Sequence, residues 1–174
     1  MNKMRADRWL FYAVSSLCVL TGASLWETIV LVPVWASGNP ATLSVLRGNV
    51  GADSSVLWVV LHSLFELIFL TTLVFSWGLK ERRALLLSIA ALYLVVRVWT
   101  VAYFAPMFLT FQKLSSASYI PASLIEGTVH WKKLNCIRTG AVVALNIWML
   151  MYVGTAIQPI AADSESSGVD RSGA

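Results

Sequence analysis

Residues 56–79 read VLWVVLHSLFELIFLTTLVFSWGL. A helix of that length reaches ~36 Å, enough to cross a hydrocarbon core of about 30 Å. Its only ionisable residues are His62 and Glu66, four positions apart. Outward from this stretch, Trp9–Val34, Ala84–Ala105 and Cys136–Ile157 have the same apolar character. In lipid every backbone amide must be paired within the protein, and these runs lack the alternation of barrel strands, so helices are expected. The whole chain agrees: 174 residues, 57% hydrophobic, 13% charged and a mean hydropathy of +0.71, too apolar for a soluble domain of this size. The expected fold is all-α, an antiparallel bundle of four transmembrane helices. It forms one domain over residues 1–160, with a disordered cytoplasmic tail at 161–174.

The net charge of +4 comes from short basic clusters at the span ends. Lys3, Arg5 and Arg8 precede helix 1, and Lys80, Arg82 and Arg83 fill the link between helices 2 and 3. The positive-inside rule puts both clusters, and both termini, on the cytoplasmic side of what is expected to be a bacterial cytoplasmic membrane. Lys113, Lys132 and Lys133 fall on the outer side and weaken that bias. Val34-Trp35-Ala36 resembles a cleavage site, but the run before it is long and holds Glu27, which suits a retained helix. Cys18 and Cys136 sit at different depths, so no disulfide between them is expected. Lys132-Lys133 is too small a patch for nucleic acid. The partners expected are the bilayer and a hydrophobic small molecule.

Gly38-Asn39-Pro40 opens an irregular outer loop running to about Ser55. Pro106 is expected to close or kink helix 3. The outer segment from Met107 to Lys133 is then the longest connection, in which Ala122–Trp131 starts helix 4 early as a possible lid. Trp9, Trp35, Trp58 and Trp77 fall near span ends, where indole rings favour the headgroup zone. Trp26, Trp99 and Trp148 lie deeper.

Charged groups in hydrocarbon cost at least ~2.5–3.5 kcal/mol each and need a partner or a wet cavity. Counted from the outer helix ends, Glu27, His62, Glu66 and Arg97 lie roughly 9–15 Å deep, in one layer. His62 and Glu66 share a face of helix 2, and Tyr93, Arg97 and Thr100 share one of helix 3. Asn135, Arg138, Thr139 and Asn146 make a polar stripe down helix 4. Glu27, Glu66 and Arg97 are therefore expected in one connected cluster facing away from lipid, with Arg97 its only obligatory cation. Such a layer can be helix glue, a metal site on His62, Glu66 and Glu27, or a ligand pocket walled by Trp26, Trp99 and Tyr103. Phosphate loops, nucleophile elbows, HExxH and paired histidines for haem are missing from the sequence.

Gly22-Ala23-Ser24-Leu25-Trp26-Glu27, the later Pro33-Val34-Trp35, and Trp131-Lys132-Lys133-Leu134-Asn135-Cys136-Ile137-Arg138-Thr139 resemble the anthrone-oxygenase-like family of four-helix membrane proteins. The likeness spans about residues 9–157. It implies oxidation of polycyclic anthrones to anthraquinones by molecular oxygen with no cofactor, although most bacterial members have no assigned activity. By position it marks Glu27, Trp131, Asn135 and Arg138. The depth argument adds His62 and Glu66 as a proton-accepting pair and Arg97 as the group that holds the resulting anion. The competing expectation is a non-catalytic protein that binds a lipid-like ligand or supports a membrane complex.

Overall fold

The computed structural model describes residues 3–46, 55–115 and 119–157. Among these it is helical apart from short turns, with no strand. Four helices are long and apolar enough to cross a membrane. Helix 1 covers Lys3–Trp35, helix 2 Ser55–Ser76, helix 3 Lys80–Leu114 and helix 4 Ala122–Ile157. Pro40–Leu46 forms a 3-10 helix after helix 1. The tail at 161–174 lies outside the described residues.

Two expectations need correction. Helix 3 does not close at Ala105 or Pro106 but runs on to Leu114, while helix 4 begins at Ala122, the early start the sequence offered. The connection expected over Met107–Lys133 is thus confined to the stretch between Leu114 and Ala122, of which residues 115 and 119–121 are described. The cause is local. Pro106 has no N–H for the carbonyl four residues back and its ring crowds it. The five residues Thr100–Phe104 widen into a π turn just before it, so the chain passes the proline without breaking. Glu27–Leu31 does the same before Pro33 in helix 1.

Lys80, Arg82 and Arg83 belong to the first turn of helix 3, not to the link, which is only Trp77–Leu79. Arg82 is more than a topology signal. It is buried and pairs with Asp7 of helix 1 at 2.7 Å, tying the starts of helices 1 and 3. Asp7 and Glu81 also offset the poor placement of cations at a helix N-terminus.

Helix 1 packs most extensively on helix 2 and also on helix 4, whereas helix 3 rests on helix 4 and lightly on helix 2. One apolar core joins all four helices through Leu17, Phe65, Leu86 and Met149. A second, aromatic core gathers Trp35, Phe104, Phe111 and Trp131 beneath Leu43 and Leu46. Along helices 1, 3 and 4 the polar residues fall in sequence between the two cores. Trp35 is therefore core, 3% exposed, rather than an interfacial anchor.

Candidate functional site

The polar layer contains two ion pairs. Glu27, first residue of the π turn in helix 1, accepts from Arg138 of helix 4 at 3.4 Å. It also accepts from the indole Nε1–H of Trp58 at 2.9 Å. The two charged side chains are only 11% and 12% exposed. Arg138 further lies over the Phe104 ring, 4.7 Å from its centroid. Next to it, Asn135 donates to Thr28 at 2.9 Å and Thr28 bonds Thr139 at 2.8 Å, which locks helix 1 to helix 4. Arg97 is thus not the only fixed cation of the layer. Arg138 is a second, and two guanidiniums balance two carboxylates without calling on His62.

The other pair joins helices 2 and 3. Arg97 Nε donates to Glu66 Oε1 at 2.9 Å. The Tyr93 hydroxyl donates to the same oxygen at 3.2 Å and stands 2.8 Å from His62 Nδ1. One hydroxyl has one proton. With that proton on Glu66, the Tyr93 oxygen accepts from His62, so Nδ1 carries the hydrogen and Nε2 keeps its lone pair. This pair is not shielded as expected: Glu66 is 38% exposed and Arg97 27%. Both lie in the seam between helices 2 and 3, where packing is light.

The two pairs are nevertheless linked. Trp58 and His62 are one turn apart on helix 2 with ring centroids at 5.8 Å, giving a chain of contacts from Glu27 through Trp58, His62 and Tyr93 to Glu66 and Arg97. Against this chain lies a cavity of about 330 Å³, within the ~300–1,000 Å³ of small-molecule pockets. Glu27, Trp58, His62, Arg97 and Arg138 give it a polar side; Phe104, Phe108 and Trp131 give it an aromatic wall. Trp131 is fixed by its indole N–H, which donates to the Phe104 carbonyl at 3.2 Å, and by Trp35 at 5.1 Å between centroids.

Of the residues marked in the sequence, the cavity brings together Glu27, His62, Arg97, Trp131 and Arg138. Glu66 stands behind Arg97 and Tyr93. Trp26 is no wall: it points outward, 52% exposed. Trp99 and Tyr103 pack on the aromatic core instead, against Phe104. Asn135 is wholly buried beside the site, its Oδ1 without a partner. Asn146 faces Cys18 at 3.5 Å, away from the pocket. Trp58 was missed as an anchor at a span end, although its spacing of four from His62, and eight from Glu66, placed it on their face. Cys18 and Cys136 are free thiols, and among the described residues no metal-binding group of His, Cys, Asp or Glu occurs.

Comparisons with protein-family models, curated proteins and solved structures return no match to this chain.

Proposed function

We propose that the chain is an antiparallel four-pass protein of a bacterial cytoplasmic membrane, both termini inside, which binds a flat hydrophobic aromatic molecule and oxygenates it without a cofactor. The observation that carries this reading is His62: a cavity-wall imidazole whose Nδ1 is tied through Tyr93 to Glu66, which leaves Nε2 as a proton acceptor. Glu66 then stabilises the imidazolium through Tyr93, and Arg97 holds the oxyanion of the deprotonated substrate. For an anthrone, the methylene gives its proton to His62. The carbanion adds molecular oxygen to give a peroxide anion, which takes the proton back from His62 to become the hydroperoxide, and loss of water leaves the ketone: one oxygen atom in the product, one in water.

The basic clusters at Lys3–Arg8 and Lys80–Arg83 support the orientation. A second reading, a non-catalytic holder of a lipid-like ligand, draws on the ion pairs, since both carboxylates already have cationic partners.

Proteoliposomes given anthrone should take up one oxygen molecule per anthraquinone formed. His62→Gln should lower that rate by at least about a hundredfold at unchanged thermal midpoint. Anthrone that binds the wild-type protein but consumes no oxygen above background would remove the activity and leave the holder.

A further inference from the structure

The cavity has a floor and a roof that are buried, and a rim that is not. Glu27, Phe104 and Trp131 are at most 9% exposed. Val59, Val101 and Leu109, which line the same cavity, are 63%, 57% and 55% exposed, and Ala105 is exposed too. In a transmembrane bundle, an apolar residue that is at once cavity wall and outer surface borders an opening onto acyl chains.

These rim residues follow a pattern. Val101, Ala105 and Leu109 recur every four positions above Arg97 on helix 3, and Val59 faces them from helix 2. The Arg97–Glu66 and His62–Tyr93 contacts close the slit at one end. Away from this slit, the cavity's Trp131 wall is backed by ring contacts with Trp35 of helix 1 and Phe111 of helix 3, which also contact each other.

We infer that the cavity opens sideways into the bilayer through the slit between helices 2 and 3, so that its ligand arrives dissolved in lipid rather than from water. This rests on the ligand reading above and narrows it to a membrane-partitioned amphiphile. Its rings slide past Val59 and Val101 toward Trp131. Its polar oxygen, the carbonyl in an anthrone, is drawn to Arg97 of the partly exposed Arg97–Glu66 pair at the closed end of the slit. The same geometry explains why that pair is left open in a hydrophobic environment: the ligand completes its burial.

Anaerobic anthrone, which can bind but not react, serves as the probe in phosphatidylcholine vesicles, with quenching of tryptophan emission as the signal. In wild-type vesicles the association rate should follow the mole fraction of anthrone in the bilayer as lipid is added. Val59→Phe and Val101→Phe, which narrow the slit, should slow association at least about tenfold, while Val19→Phe on the outer face of helix 1 should behave as wild type. A rate that follows the free aqueous concentration overturns the sideways route. So do rates within about twofold of wild type in both slit variants. Failure of the wild-type protein to quench with anthrone is a different result, which falls on the ligand reading itself.

Discussion

Glu27–Arg138 and Glu66–Arg97 are the same two functional groups in one polar layer, yet one pair is sealed between helices 1 and 4 and the other lies open between helices 2 and 3. Packing makes the difference. Helix 1 is held along much of its length by helices 2 and 4, whereas helix 3 touches helix 2 only lightly. A sealed pair has exchanged water for a fixed set of partners, here Trp58 and the Phe104 ring, and losing one member strands the other. An open pair retains room for a third party. On the proposed reading, the sealed pair holds the bundle and the open pair serves the ligand.

Substitutions can break or sharpen this contrast. Arg138→Leu should have the largest effect, a loss of about 3–5 kcal/mol, because Glu27 would be left buried without its cation. Thermal unfolding in detergent measures it, and a midpoint close to wild type would make the two pairs equivalent. Trp58→Phe keeps an aromatic ring but removes the five-membered part of the indole together with its N–H bond to Glu27, so it should cost about 2 kcal/mol, the scale of a hydrogen bond to a charged group, or somewhat more. Glu66→Gln should change stability least, within about 1 kcal/mol, since the amide oxygen can still accept from Arg97 and Tyr93. Its oxygen uptake with anthrone should nonetheless fall about a hundredfold. Activity that tracked only the folded fraction would make Glu66 packing material.

What the sequence disclosed follows the same physical lines. Hydropathy disclosed the four spans because twenty apolar residues have few other uses, and helical counting brought Glu27, His62, Glu66 and Arg97 to one layer. Counting could not divide that layer into a closed and an open half, because which helices pack tightly is a property of the assembled bundle. Pro106 was expected to close or kink helix 3, and the span was ended at Ala105, because the usual effect of proline is to break or bend a helix. The π turn that carries the chain past it leaves no mark in composition. Trp58 and Trp35 both looked like interfacial anchors, since a tryptophan near a span end has the same sequence context whether it faces headgroups or a cavity. Arg82 was hidden likewise: its pairing with Asp7 spans 75 positions along the chain.

The contrast is tested most directly by Arg97→Leu, measured as the thermal midpoint in detergent with and without anaerobic anthrone. In the wild-type protein, a ligand that binds only the folded state raises the midpoint. The variant should unfold near the wild-type temperature without ligand, because a half-exposed pair contributes only about 1 kcal/mol, and should show no rise when anthrone is added. A folded Arg97→Leu protein whose midpoint still rises as far as that of the wild type would contradict the assignment of this pair to the ligand.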